Sequence, residues 1–155
     1  MNRILRHPAT NAVCISAFSV FYALIFIITS RSVEFTGLLY YTRENHIPNP
    51  FWEGWSGFLA SGRQEYIAYA LLVLTTLVVI LLVLRRREYD EYHASLLVQS
   101  LVISLMLTLI AIALFFLLIL SDSNGVVEKF TLFIVIHWAT VVLADLVYVL
   151  ICRWR

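Results

Sequence analysis

Residues 94–120 read ASLLVQSLVISLMLTLIAIALFFLLIL and carry no charge. A run of this length exceeds the roughly 20 apolar residues that a helix needs to cross about 30 Å of hydrocarbon. It is apolar on every side, so it has no polar face to turn toward water as the surface helix of a soluble domain does. Three further runs, near residues 12–30, 66–84 and 130–152, have comparable length. The chain of 155 residues is 61% hydrophobic, with a mean hydropathy of +0.87, well above the apolar share of a soluble globular protein. The pattern predicts an all-α integral membrane protein: a single domain of four transmembrane helices, with little chain left for a soluble module.

The net charge of +1 conceals an asymmetry. Arg3 and Arg6 precede the first run, Arg85, Arg86 and Arg87 lie between the second and third, and Arg153 and Arg155 end the chain. Arg31, Arg43, Arg63 and Lys129 fall in the alternate connections, the first three diluted among Glu34, Glu44, Glu53 and Glu65. By the positive-inside rule both termini are cytoplasmic; the compact size and the lack of an N-x-S/T sequon fit a bacterial plasma membrane. The first run is read as a span rather than a cleaved signal, because it is long for a signal core and no A-x-A-like site follows. Cys14 and Cys152 then lie near the reducing side, where they are expected as small buried apolar residues rather than palmitoylation sites.

The first external connection contains NPFWEGWSGFLASG. Asn49 is a suitable N-cap, Pro50 suits the first helical position and Gly62 the residue beyond the end. Phe51, Trp52, Trp55, Phe58 and Leu59 share one face at helical spacing. This predicts a short amphipathic helix over residues 50–61 lying at the interface, anchored by Trp52, Trp55 and Phe58 at headgroup depth. SDSNGVVE is the second external connection, with Asn124-Gly125 as its left-handed corner.

The connection RRREYDEYH places the second and third spans side by side and antiparallel. Its Arg85, Arg86 and Arg87 match anionic lipid, and together with Asp90 and Glu91 they form a candidate docking site for a cytoplasmic partner. The expected partners are the lipid bilayer and either a second copy or a larger membrane protein; no nucleic acid, metal or cofactor is expected. A bis-histidine heme site is not available, since His7, His46 and His93 fall outside the spans. Hydrolase, zinc and phosphate-loop motifs are missing, which leaves an intramembrane enzyme without a nucleophile and base.

The fourth span holds His137 and Asp145, whose short side chains cannot reach water from that depth. An ionised aspartate there costs on the order of 3 kcal/mol by insertion scales, so it must be neutral, paired or hydrated. Counting depth from the estimated span ends puts Ser16, Ser19, Gln99 and Ser100 level with Asp145, and Thr75 and Thr76 level with His137. Ser100, Ser104 and Thr108 form an i, i+4 stripe on the third span leading between these levels. His137, Asp145, Gln99, Ser100, Ser104, Thr108 and Ser19 are therefore the candidate intramembrane site, serving either as interhelical glue or as a proton-handling path. Two functional classes follow: a non-enzymatic accessory or interaction subunit, and an oligomeric proton-coupled transporter or channel for a small solute that uses Asp145 and His137.

Overall fold

The computed structural model describes residues 8–44, 46–84 and 91–154, all in helices and their connections. The helices are α1 Pro8–Ser30, α2 Val33–Leu38, α3 Pro50–Ala60, α4 Gln64–Val83, α5 Glu91–Ser121 and α6 Val126–Trp154. Four of them, α1, α4, α5 and α6, are long and apolar enough to cross a membrane. They match the four apolar runs, with ends displaced by a turn in places. The displacement at α6 changes its composition: the helix starts at Val126 and takes the charged pair Glu128-Lys129 into its first turn.

The local signals in the loops act as their chemistry requires. The Asn49 side chain accepts hydrogen bonds from the amides of Phe51 and Trp52, and Pro50 occupies the first turn, where its missing N–H costs nothing. Gly62 follows Ser61 at φ +71° and stops α3; its amide returns to the Leu59 carbonyl. Gly125 takes the left-handed corner before α6 at φ +65°, and no other residue type does so among the described residues. Asn124 supports that corner by donating its amide to Asp122 Oδ1. The short α2 has no counterpart in the apolar pattern; it is a local product of Ser32, whose hydroxyl accepts from the Phe35 amide.

The core is a three-helix unit of α1, α4 and α6, with α1 packed most extensively on α4. Phe26, Ala23, Val78, Leu82, Trp138 and Val142 fill its axis and are almost wholly buried. The remaining long helix, α5, packs principally on α6. This corrects the expectation that the second and third spans lie side by side. The covered stripe of α5, which includes Leu97, Ser100, Ser104, Thr108 and Phe115, is turned to α6, and Phe115 meets Phe130 and Phe133 across that seam. The tight turn at 122–125 brings α5 and α6 together directly. α3 closes the loop side of the unit by packing on the start of α6.

Gly125 and Gly57 should respond in opposite directions to alanine. At Gly125 a Cβ would lie 2.5 Å from the Tyr41 ring and the backbone is left-handed, so Gly125→Ala is expected to cost about 2 kcal/mol. At Gly57, inside α3, a Cβ meets open space, and Gly57→Ala should stabilise by about 0.5 kcal/mol. Denaturant titration in mixed micelles measures both; equal effects would contradict the geometry.

Candidate functional site

Two polar centres emerge, one inside the helical core and one above it on the side opposite the termini. In the core, the Trp138 indole N–H donates to Ser19 Oγ at 3.0 Å. Ser19 Oγ lies 2.9 Å from Thr75 Oγ1, and Thr75 donates to the Leu71 carbonyl of its own helix at 2.7 Å. Because each hydroxyl has one proton, Ser19 is the donor to Thr75, and the order runs Trp138, Ser19, Thr75, Leu71 in one direction. The chain joins α6, α1 and α4. Trp138 and Ser19 have no exposed surface, so each hydrogen bond replaces one that water cannot supply.

The same helices carry the two ionisable residues. Asp145, 8% exposed, accepts from Asn11 Nδ2 at 3.4 Å, in the first turns of α1. His137 lies two turns earlier on α6, about 12 Å away along the axis. Its Nδ1 is 3.4 Å from the Tyr22 hydroxyl, its ring is parallel to Phe133 and it meets Phe18 edge-on. Asp145 and His137 thus have separate partners on α1. The antiparallel register of α1 and α6 pairs Asn11 with Asp145 and Ser19 with Trp138, so Ser19 belongs to the level of His137 rather than to that of Asp145. The depth count placed Ser19 too low because it took the inner ends of α1 and α6 as level, whereas the pairing of Asn11 with Asp145 leaves α6 running on past the start of α1.

The hydroxyl stripe on α5 does not join this network. Trp138, Val142, Asp145 and Val149 lie within about 60° of one another on α6 and face α1 and α4; Thr140, Ala144, Val147 and Ile151 are about half a turn away and face α5. Ser100 and Gln99 border a lateral cleft of about 420 Å³ between α5 and α6, with Ile103, Thr140, Ala144 and Tyr148. Thr108 donates to the Ser104 carbonyl of its own helix. Ser16 likewise donates to the Ala12 carbonyl. Helix α6 itself separates the α5 stripe from Asp145. The structure brings Ser19 to Thr75 and sets Gln99 and its neighbour Ser100 at the α5–α6 cleft, but does not gather the seven candidates into one site.

The second centre was missed from sequence. Glu128, in the first turn of α6, is fully buried, and its Oε1 accepts from the Tyr41 amide and the Ser56 hydroxyl, both at 3.1 Å. Its backbone carbonyl accepts from the Trp55 indole at 3.0 Å. The other carboxylate oxygen, Oε2, is enclosed and has no hydrogen-bond partner among the described residues. Lys129, 3% exposed, donates to the carbonyls of Asp122 and Asn124 and to the Asp122 carboxylate, and its ammonium stands 5.9 Å from the Trp52 ring centre. The Asn124 amide and Lys129 hold the Asp122 carboxyl below its usual range. Burial, together with Asp122 and Glu128 nearby, raises the Tyr41 phenol.

This centre gives two of the expected interfacial anchors partners within the chain. Trp52 is stacked on Tyr41, and Trp55 spends its N–H on α6 while stacking on Phe58. The helix 50–61 is thus docked on the other helices through its tryptophans. The only sequence signal for the site was a Glu-Lys pair just after Asn124-Gly125, which reads equally well as a solvated turn. Of the expected cytoplasmic docking residues, Arg85, Arg86, Arg87 and Asp90 lie outside the described residues, and Glu91 opens α5.

No known protein family, characterised protein or solved structure matches the chain.

Removing the Glu128 carboxylate leaves the Tyr41 amide and Ser56 hydroxyl buried without an acceptor. Glu128→Ala should therefore cost about 3 kcal/mol, whereas Glu128→Gln retains one acceptor oxygen and should cost about 1 kcal/mol. Unfolding in micelles gives the stability, and limited proteolysis of residues 31–63 reports undocking of α3; equal losses in the two variants would remove Oε1 as the determinant. In the core, a double-mutant cycle between Ser19→Ala and Trp138→Phe should return a coupling of about 0.6 to 1 kcal/mol.

Proposed function

We propose that the chain is a four-span integral membrane protein, with both termini on the cytoplasmic face of a bacterial plasma membrane, and that it serves as a non-enzymatic accessory subunit binding another membrane protein along α5. The four long apolar helices and the arginines of the sequence at the terminal side support the placement.

One observation carries the functional reading. Gln99 stands exposed on α5 at the α5–α6 cleft, and its carboxamide makes no hydrogen bond with the described residues. In hydrocarbon an unpaired carboxamide is costly, and polar side chains there find mates on neighbouring helices. A partner helix seated beside α5 supplies such a mate. It also covers Ile103, Met106 and Ile110, which share the Gln99 face of α5 and are part of an apolar perimeter that the three-helix core leaves bare.

A proton-coupled reading rests on Asp145, a buried carboxyl whose one described side-chain partner is Asn11. The separation of Asp145 from His137 and from the α5 stripe favours the accessory role over this reading.

A photo-crosslinking residue at Gln99 or Ile103 should yield a discrete protein adduct, while one at Val73, exposed on α4, should yield lipid adducts alone. Lipid adducts at all three positions would overturn the accessory reading. Under that reading Asp145→Asn, which preserves the contact with Asn11, leaves assembly and cellular function nearly intact. A folded but inactive Asp145→Asn, with loss of proton-driven uptake in vesicles, would establish the proton-coupled alternative.

A further inference from the structure

The segment joining α2 to α3 folds back on itself around His46. The imidazole Nδ1 meets the backbone carbonyl of Arg43, and Nε2 lies 3.1 Å from Glu53 Oε1 in the first turn of α3. A carbonyl and a carboxylate are both acceptors. Neutral imidazole has one N–H and one lone pair, so it can satisfy either contact but must set a lone pair against the other acceptor. Imidazolium has two N–H groups and satisfies both. The observed arrangement is therefore complete only when a proton sits between His46 and Glu53 in addition to the one shared with Arg43.

We propose that His46 is a proton-operated catch, which holds the α2–α3 segment closed on α3 when doubly protonated and releases it when the imidazole becomes neutral.

The surroundings suit that role. The His46 side chain is 16% exposed and that of Glu53 42%, so protons exchange with solvent without the core opening. From its own segment the imidazole also faces the rings of Tyr40 and Tyr41, at 6.2 and 5.6 Å between centres. The Arg43 guanidinium is turned away to the Gly37 carbonyl. From α3 the facing charge is Glu53. The charges of the α5–α6 turn and α6, Asp122, Glu128 and Lys129, act through Tyr41 and Trp52: Glu128 holds the Tyr41 amide, Lys129 stands by the Trp52 ring, and Trp52 stacks on Tyr41. Release of the catch therefore loosens a segment whose other end is tied to the buried Glu128.

The Arg43 carbonyl, and next the Glu53 carboxylate, raise the His46 pKa above its ordinary 6.5, against a smaller opposing effect of burial. A pKa raised in the closed form means that closure is fully supported below pH 6.5 and is lost as pH rises through the raised value. The pH sensed is that of the compartment facing residues 31–63.

Hydrogen–deuterium exchange of the full chain in nanodiscs, corrected for the intrinsic pH dependence of exchange, tests the catch. Amides of residues 40–49 should be about tenfold better protected in acid than in mild alkali for each unit by which closure raises the pKa. Amides within α4 should show no such step. His46→Gln cannot take up a proton and should give the same protection at both pH values; Glu53→Gln should lose most of the step. Nitrogen-15 titration of the wild-type His46 ring provides a measurement independent of either variant's folding, with a midpoint above the ordinary value expected. Flat wild-type protection, an ordinary or lowered His46 midpoint, or a His46→Gln variant that keeps the full step would each overturn the proposal.

Discussion

The indole of Trp138 sits where three helices meet, and the packing of the unit is organised by its need for one acceptor. An N–H enclosed among apolar side chains has no water to fall back on, so the only low-energy arrangement brings a hydroxyl to it. Ser19 provides that hydroxyl and passes its own proton to Thr75, which anchors on its own helix backbone. A rotation of α1 or α4 about its axis breaks this relay, so the relay sets the rotation of each helix as well as their contact. Apolar packing by Phe26, Val78 and Val142 supplies the area, but many rotations would bury a comparable area. The hydrogen bonds select among them.

The same logic recurs at the opposite end, with a carboxylate in place of the indole. Glu128 sits in the first turn of α6, where the positive end of the helix dipole favours negative charge. It gathers the Tyr41 amide and the Ser56 hydroxyl, while its backbone carbonyl takes the Trp55 indole. One residue thereby ties the long connection between α1 and α4 to the start of α6. The stretch between α2 and α3 has a different character: its closure depends on His46 and Glu53, both reachable by solvent. A rigid attachment and a titratable one lie within the same loop.

The division between core and periphery bears on function. Ser19, Thr75, Trp138, His137 and Asp145 each meet a polar partner on a neighbouring helix of the α1, α4 and α6 unit. Gln99 on α5 is different, because its carboxamide lies beside a cleft, unpaired by the described residues. A continuous proton path requires neighbouring groups within hydrogen-bond reach. Here Asp145 faces α1, while the hydroxyl stripe faces the opposite side of α6. That geometry supports a protein built to hold a partner over one that moves protons through itself.

The four long helices were legible in the amino-acid sequence, as were the Asn49 cap, Pro50 at the start of α3 and the left-handed turns at Gly62 and Gly125. Each is set by a property local to a few residues: length of an apolar run, a side-chain acceptor beside free amides, a backbone without Cβ. What only the tertiary structure decided is which helix touches which and at what register. Periodicity carries little of that information when a helix is apolar all round, as α5 is, because every face buries equally well. Hence α5 rests on α6, Ser19 meets Trp138, and Asp145 meets Asn11, none of which was readable from spacing. The partners of Glu128 were beyond the sequence for the same reason: Tyr41 and Ser56 are distant along the chain, and only folding brings their donors to one carboxylate.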